Sequence, residues 1–485
     1  MSRPVVCGCA VFDISSLCYL PRYYYAQIEV GTPAQTLNVV LDTGSSDLWL
    51  PTSSCTSSSC KGLTLYDPTS SSTYQSSSQK FSITYGSGAV TGTACADTVS
   101  MAGYTVFSQS FNIAKQVASG SISSPASGLW GFGFQELSTA GITPWWQVLV
   151  KQSKLTLNLF SFQLVRDTST QDGNSTTGVA GGIFTIGELD TDQYEGSINY
   201  VAIPSAYQKY GYWSIPLDSY SFSTTGSAGS QVSVGEIAVI DTGTTLIATT
   251  YEFAEAFYAQ ISGSESLAQE LGEEGLYGFP CSTDISLTLT FGGVNYPLSS
   301  TDFNAGAIDS KGETCLGAIF GSSNSGSSTP PFIVGDSFLK NVFAVFYADT
   351  PSVGFASLKD GTAQTIATST ASATATAITA AVTPRQFGGP GFGGPYGGGG
   401  GHGGNSASSS TSDTFTSVSV SNIAATGTGI YWASGVASPT ASGASVLAQK
   451  LASSGGAAAP QAAWALALAT TLSAGAWTLA TCIFL

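Results

Sequence analysis

The sequence predicts an all-β protein of two related lobes, followed by a long tail of different composition. Short β-branched and aromatic runs, separated by Gly, Ser, Asp and Pro, recur from Tyr23 to Leu358. The triplet Asp-Thr-Gly occurs twice, at Asp42 and at Asp241, and few segments have helical periodicity. We therefore predict an N-terminal lobe over residues 21–205 and a C-terminal lobe over residues 206–360.

Eight runs carry the strand prediction, because each combines high β propensity with flanking turn residues. They cover residues 25–30, 37–41, 81–85, 160–164, 183–186, 198–203, 285–291 and 342–347. Two further segments, 144–152 and 251–261, have apolar residues at helical spacing, and we predict that they are helices packed on the core.

The duplication extends beyond the two triplets. An apolar run ends at Asp42 and another at Asp241, and hydroxyl residues follow both triplets. An apolar-apolar-Gly element occurs later in each half, at residues 129–131 and 333–335. Since a carboxylate is duplicated together with its surroundings, we predict a two-fold active site in which Asp42 and Asp241 lie together.

Charge and histidine content exclude several classes of function. The chain has 30 acidic and 14 basic residues, a formal charge of −16, which disfavours nucleic acid and anionic membranes as partners. The single histidine, His402, lies in a glycine tract, so Ser-His-Asp catalysis, Cys-His catalysis and histidine-based zinc sites lack a positioned imidazole. Catalysis must therefore rest on carboxylates, and we expect neither a metal nor a cofactor.

Cysteine usage indicates an oxidising, secretory compartment. Among nine cysteines we predict two disulfide bonds, Cys55–Cys60 around a short Thr/Ser loop and Cys281–Cys315 in the second half. No partner is predicted for Cys7, Cys9, Cys18 and Cys95. A sequon marks Asn174 as a candidate N-glycosylation site, which agrees with secretion.

The composition changes abruptly after the second lobe. Residues 361–454 are rich in Ser, Thr, Ala and Gly, and we predict a disordered stalk because they offer too little apolar surface for a core. Small residues, a spacer and an uncharged apolar end then follow, as in a glycosylphosphatidylinositol (GPI) attachment signal over residues 455–485. The predicted attachment residue is Ser454, with Ser453 and Gly455 as alternatives; a retained transmembrane helix is the competing interpretation.

These features place the protein on the extracellular face of the plasma membrane, with transfer to the cell wall left open. Residues 1–20 fit secretion poorly, because Asp13 interrupts the apolar stretch that a signal peptide needs. We treat them as an uncertain N-terminal segment and expect the true start to differ.

The motifs resemble the pepsin-like aspartic endopeptidases from about Tyr23 to Leu358. The run Asp-Thr-Gly-Ser-Ser-Asp-Leu-Trp-Leu-Pro that begins at Asp42 is similar to the family's first active-site signature, and Asp-Thr-Gly-Thr-Thr from Asp241 to the second. Gly-Thr-Pro-Ala-Gln at 31–35 and Gly-Phe-Ala at 354–356 also match family elements. The tail adds a likeness to the GPI-anchored, yapsin-like fungal enzymes. The resemblance implies a bilobal fold with the active-site cleft between the lobes.

The resemblance also implies roles for the residues near each triplet. Asp42 and Asp241 would share one proton and activate a water molecule for peptide hydrolysis. Gly44, Ser45, Gly243 and Thr244 would form hydrogen bonds to the carboxylates. Thr43 and Thr242, the residues directly after the two aspartates, would cross-link the loops.

Residues 81–88 resemble the family's flap, a hairpin that closes over the substrate. Tyr85, Gly86 and Ser87 would form its tip, and the indole of Trp49 would donate a hydrogen bond to the Tyr85 hydroxyl. Some fungal relatives carry Asp at the position of Ser87 and accept a basic residue before the cleaved bond. Its absence here leaves the subsite preference open.

The implied function is an aspartic endopeptidase that acts on polypeptides as a monomer. The alternative is a catalytically silent pepsin-fold protein that binds partners at the cell surface. The intact triplets, together with Tyr85 and Trp49, favour the enzyme. The family's basic prosegment does not fit before Asp42, which again puts the start of the chain in question.

Overall fold

The computed structural model describes residues 23–85, 88–166, 180–224, 227–228, 231–271, 274–309, 311–322, 330–359 and 430–435. Several sequence predictions fall outside these ranges and stay predictions: the segment 1–20, Gly86, Ser87, Asn174, His402, the attachment candidates Ser453, Ser454 and Gly455, and the anchor signal 455–485.

The first half of the chain is built mainly from strands. Its elements are β1 (Tyr23–Val30), β2 (Gln35–Asp42), β3 (Leu48–Pro51), β4 (Gln75–Tyr85), β5 (Gly88–Met101), β6 (Tyr104–Val117), β7 (Leu129–Gly131), α1 (Trp145–Lys151), β8 (Leu159–Leu164), β9 (Ala180–Ile186) and β10 (Tyr194–Ala202). The strand runs predicted in this half fall in strands, except that the run 198–203 extends one residue beyond β10, and the helix predicted at 144–152 is α1. The long hairpin β5–β6 was missed, because register shifts break the alternation of buried and exposed residues.

The second half repeats this strand-rich design. Its elements are α2 (Ser205–Gln208), β11 (Ser214–Thr224), β12 (Ser227–Ala228), β13 (Val232–Ile240), β14 (Ile247–Thr249), α3 (Tyr251–Tyr258), β15 (Glu265–Ser266), α4 (Ala268–Leu271), β16 (Tyr277–Pro280), β17 (Ile285–Phe291), β18 (Val294–Leu298), α5 (Ser300–Phe303), β19 (Asn304–Ala307), β20 (Thr314–Gly317), β21 (Ile319–Gly321), β22 (Phe332–Val334), α6 (Asp336–Leu339), β23 (Phe343–Tyr347), β24 (Ser352–Leu358) and β25 (Ile430–Gly435). The helix predicted at 251–261 is α3, which begins after the capping residue Thr250 and ends earlier than expected, at Tyr258.

One large sheet runs through both halves of the chain. Its strand order is β10-β24-β23-β8-β9-β25-β1-β2-β7-β3-β6-β5-β4. β23 and β24 belong to the second half, yet they pair with β8 and β10 of the first half. The boundary predicted at residue 205 therefore separates the sequence repeats, whereas the hydrogen-bonded sheet crosses it.

Each half also contains the same local pair of parallel strands. In the first half β2 pairs with β7, with Asp42 opposite Gly131. In the second half β13 pairs with β22, with Ile240 opposite Val334, inside a sheet ordered β18-β17-β11-β13-β22-β14-β21. These four strands are mostly apolar, as buried parallel strands are. The duplication predicted from the sequence is thus a structural repeat that brings both triplets to strand ends.

The strand β25 is a local correction to the predicted stalk. It lies within residues 361–454 and pairs antiparallel with β1 on one side and β9 on the other. Pairing with two neighbours satisfies its backbone polar groups, so this segment forms a strand although its composition predicts disorder. The remainder of the predicted stalk lies outside the described residues.

Both predicted disulfide bonds, Cys55–Cys60 and Cys281–Cys315, are present. Cys95, whose pairing the sequence left open, is a buried free thiol. In the part of the chain that the structure describes, no helix is both long enough and apolar enough to cross a membrane.

Candidate active site

The two triplets occupy equivalent positions at the ends of buried strands. Asp42 is the last residue of β2, and Asp241 directly follows β13. Their side chains are nearly inaccessible to solvent, since the residues are 3 % and 6 % exposed. The N–H of Asp241 donates to the Val334 carbonyl at 3.0 Å, which fixes this residue against the apolar-apolar-Gly strand.

Each carboxylate accepts the same two hydrogen bonds from its own loop. The N–H of Gly44 donates to Oδ1 of Asp42 at 2.7 Å, and the Ser45 hydroxyl donates to Oδ2. In the second loop the N–H of Gly243 donates to Oδ1 of Asp241 at 2.8 Å, and the Thr244 hydroxyl to Oδ2 at 2.7 Å. Backbone and hydroxyl donors thus hold both carboxylates in matching orientations.

The threonines of the triplets cross-link the two loops. The N–H of Thr43 donates to Oγ1 of Thr242 at 3.1 Å, and the N–H of Thr242 donates to Oγ1 of Thr43 at 3.0 Å. Each hydroxyl also donates across the pair, from Thr43 to the Ile240 carbonyl and from Thr242 to the Leu41 carbonyl. All four bonds are buried, so they lock one loop to the other.

The glycines bring each loop against the opposite carboxylate. A Cβ atom added to Gly44 would overlap the carboxylate of Asp241, and one added to Gly243 would overlap that of Asp42. Only a residue without a side chain fits at either position. The two carboxylates therefore lie together where the loops meet.

The pKa of Asp42 lies well above its ordinary value of 3.8 because the carboxyl group is buried and lies beside Asp241. Burial contributes most, because an ionised carboxylate loses its hydration, and the charge of Asp241 adds to the rise. A hydrogen bond between the two carboxyl groups acts in the same direction, and the bonds from Ser45 and Gly44 oppose it. Burial and the neighbouring charge therefore favour a proton shared by the pair.

The predicted flap residue Tyr85 lies close to Asp42. It is the last residue of β4, and its hydroxyl accepts a hydrogen bond from the indole N–H of Trp49 at 3.0 Å. Burial and the negative charge of Asp42 raise the pKa of Tyr85 well above 10.0. The phenol thus stays neutral close to the dyad.

The structure adds three residues that the sequence analysis did not single out. Tyr212 is half-buried, and both its burial and the charges of Asp241 and Asp42 raise its pKa, which places the phenol near the dyad. Asp47 and Asp336 are buried carboxyl groups beside the first and second triplet loops. A signal existed for both: Asp47 lies within the first signature, and Asp336 directly follows the second apolar-apolar-Gly element.

Comparison with known proteins agrees with this geometry. Residues 23–358 match the family model described as eukaryotic aspartyl protease. The chain is 38 % identical over 347 residues to major aspartyl peptidase 1 of Cryptococcus neoformans, which covers 70 % of each chain. It is 34 % identical to an aspartic protease of Phaffia rhodozyma, covering 66 % of this chain and 73 % of that one. It is 32 % identical to pepsin A of Bos taurus, covering 70 % of this chain and 85 % of that one.

Proposed function

Because the chain belongs to the eukaryotic aspartyl protease family and is an aspartic-type endopeptidase, we propose that Asp42 and Asp241 hydrolyse peptide bonds as a carboxylate dyad. The observation that carries the proposal is the packing of each triplet glycine against the opposite carboxylate. Two carboxylates this close cannot both ionise readily, so they titrate as a pair. Aspartic proteases use such a pair, in which the two carboxyl groups share one proton.

The two carboxyl groups take complementary roles in the proposed reaction. One of them holds the shared proton and hydrogen-bonds to the carbonyl oxygen of the substrate. The other, as a carboxylate, accepts a proton from the attacking water molecule. The water oxygen adds to the carbonyl carbon, and proton transfer to the nitrogen then releases the amine.

Tyr85 contributes by covering the reacting groups. Its hydroxyl is held by Trp49, and its ring lies close enough to Asp42 for that charge to affect its pKa. A flap in this position excludes water other than the reacting molecule and strengthens the electrostatic interactions of the dyad.

The dyad is tested by exchanging each carboxyl group for an amide. The parent enzyme should cleave a denatured protein at about pH 3–5, where one carboxyl is protonated and one ionised. Asp42→Asn and Asp241→Asn should each lower kcat/KM by about 10²–10⁴-fold, the usual contribution of acid–base catalysis. Asp349→Asn, the same change at an exposed carboxylate, should leave kcat/KM unchanged.

Two outcomes would contradict the proposal. Undiminished cleavage by Asp241→Asn would show that the second carboxylate takes no part in the reaction. A folded parent enzyme without cleavage activity would favour the alternative, a silent pepsin-fold binding protein. Binding of a labelled pepstatin-type inhibitor distinguishes a folded cleft from a misfolded one.

We also propose that the enzyme is secreted and held at the cell surface as a GPI-anchored protein. The support is the order of small residues, spacer and apolar end over residues 455–485, and the two disulfide bonds agree with an oxidising compartment. Phosphatidylinositol-specific phospholipase C should release the activity from intact cells. Substitution of Ser453, Ser454 and Gly455 by bulky residues should prevent surface attachment, and release of unmodified enzyme from cells by salt alone would contradict the anchor.

A further inference from the structure

A third carboxyl group, that of Asp336, lies buried near the dyad. Asp336 is the first residue of α6 and is only 1 % exposed. Neither oxygen of its carboxyl group has a partner among the residues that the structure describes. Since an ionised carboxylate without partners is very costly to bury, this geometry favours the protonated, neutral acid.

The backbone of Asp336 connects this group to the dyad. Its N–H donates to the Thr244 carbonyl at 2.8 Å, and the Thr244 hydroxyl donates to Oδ2 of Asp241 at 2.7 Å. The next residue, Ser337, holds the Thr245 carbonyl through its N–H at 2.9 Å. A displacement of the start of α6 would therefore move the donor that orients Asp241.

The approach of these segments leaves no free space. A Cβ atom on Gly335 would overlap the Thr244 carbonyl oxygen, so the turn before α6 lies directly on the second triplet loop. An ionised Asp336 would need water molecules around its carboxylate. Because the close-packed interior has no room for them, their entry would have to separate the start of α6 from the second triplet loop.

The charged groups around Asp336 come from three places. Asp241 and Asp42 of the triplet loops disfavour its ionisation, whereas Lys340, which follows α6, favours it. The neighbouring helix α5 carries Asp302, which is paired with Arg166 at 2.6 Å, and the packed strands β8 and β22 contain no ionisable side chain. Burial is the largest effect and, with the two aspartates, raises the pKa of Asp336 well above 3.8.

We propose that Asp336 is a positioning residue whose neutral carboxyl group preserves the contact between α6 and the second triplet loop, and whose ionisation sets the upper pH limit of the active structure. The proposal rests on the dyad proposed above, because the contact it protects orients Asp241. The unfolded chain ionises Asp336 at an ordinary pKa, whereas the folded chain keeps the proton. The stabilising effect is therefore complete below the unfolded pKa and is lost as the pH rises through the raised folded pKa.

The test compares the parent enzyme with Asp336→Asn and Lys340→Gln. Each protein is incubated over a pH series, returned to acid for the activity assay, and followed by tryptophan fluorescence during incubation. The return to acid removes any effect of dyad protonation on the assay itself. Asp336→Asn cannot ionise, so its inactivation midpoint should move to higher pH by about one unit or more. Lys340→Gln removes the cation that favours ionisation and should move the midpoint upward by a smaller amount.

The controls separate this inference from the dyad. Asp349→Asn changes an exposed carboxyl group and should leave the inactivation midpoint unchanged. The dyad itself is established separately, by an active parent enzyme and an inactive Asp241→Asn variant. An unchanged midpoint in a folded Asp336→Asn variant would overturn the inference while leaving the dyad intact. If Asp336→Asn does not fold, Lys340→Gln decides: an upward shift supports the inference, and an unchanged midpoint overturns it.

Discussion

The two triplet loops hold their carboxylates in the same way but rest on different supports. Around Asp42 and Asp241 the glycine, hydroxyl and threonine bonds correspond one to one. Beside the first loop, the carboxyl of Asp47 accepts bonds from the Ser138 hydroxyl at 2.7 Å and the Thr139 N–H at 3.0 Å. Beside the second loop, the carboxyl of Asp336 accepts none from the described residues.

The two halves differ in the residues behind the triplet loops and agree in the residues that touch the carboxylates. The chemistry of the dyad fixes the groups that touch the carboxylates, so these stay paired in both loops. The layer behind them only has to hold the loops still. A hydrogen-bonded carboxyl does so in the first half, and a neutral carboxyl at the start of a short helix does so in the second.

The largest expected effect tests whether the loops are equivalent at the carboxylates. Gly44→Ala and Gly243→Ala would each displace the opposite carboxylate, because the added Cβ overlaps it. A displacement of about 1 Å costs on the order of 10²-fold in rate, so kcat/KM should fall by about that factor or more in both variants. The displaced groups are side-chain ends, so the fold should persist.

Thermal unfolding and active-site titration check that the alanine variants are folded. Gly196→Ala is the matched control, since this glycine has a φ of +76° and open space around it. It should lose stability without losing kcat/KM per folded molecule. A loss confined to one of the two site variants would break the equivalence of the loops.

The sequence predicts this equivalent part of the site because its determinants are local. Each triplet, its apolar strand and its apolar-apolar-Gly partner are short motifs, and parallel pairing then places Asp42 beside Gly131. The supports were not predicted, because they depend on long-range contacts. The Ser138 hydroxyl reaches Asp47 across 91 positions of the chain, and no local pattern marks such a contact.

The fold follows the same division between local and long-range information. Strands with regular alternation, such as β17, were predicted within a residue of their observed bounds. The hairpin β5–β6 was missed because bulges disrupt its pattern, and β25 was missed because its pairing with β1 and β9 compensates for a composition that predicts disorder.

A second prediction concerns the cross-link between the loops. Thr43→Val and Thr242→Val keep the side-chain shape but leave a buried N–H and a buried carbonyl of the other loop unpaired. Each should lower the free energy of unfolding by about 2–3 kcal/mol, measured by urea denaturation. The double variant should lose less than the sum, because the two residues share the same network.

The control for the cross-link is Thr105→Val. Among the described residues, the Thr105 hydroxyl bonds the Ser100 hydroxyl alone, in a partly buried hairpin. It should change stability by less than about 0.5 kcal/mol. Losses that differ by more than about 1 kcal/mol between Thr43→Val and Thr242→Val would show that the network is not symmetric in energy, although it is symmetric in geometry.

A third, smaller effect tests the difference between the two supports directly. Asp47→Asn would turn an amide NH₂ toward the donors at Ser138, Thr139 or Asn112, and should cost about 1–2 kcal/mol of folding stability. Asp336→Asn should instead stabilise the fold as the pH rises toward neutrality. Urea denaturation at about pH 6 should give changes in the free energy of unfolding of opposite sign for the two variants. Equal losses in both variants would mean that the two carboxyl groups support the loops in the same way.

The smallest predicted effect concerns Trp49, which has no tryptophan counterpart in the second half. Trp49 and Ala248 occupy matching registers, opposite Leu129 and Ile333, but only Trp49 reaches a flap residue, through its 3.0 Å bond to Tyr85. Trp49→Phe should lower kcat/KM by about 3–10-fold, the value of one hydrogen bond. The loss should vanish when Tyr85→Phe has already removed the partner.

The control for Trp49→Phe is Trp145→Phe, because that buried indole donates to the Val99 carbonyl at 3.2 Å, away from the flap. Both changes remove a buried N–H and the same volume, so both should lower the melting temperature by similar amounts. Only Trp49→Phe should change kcat/KM, since only this indole acts on a group that covers the dyad. If both variants lose activity equally, Trp49 contributes only to core packing. The hydrogen bond from its indole to Tyr85 would then have no separate effect on activity.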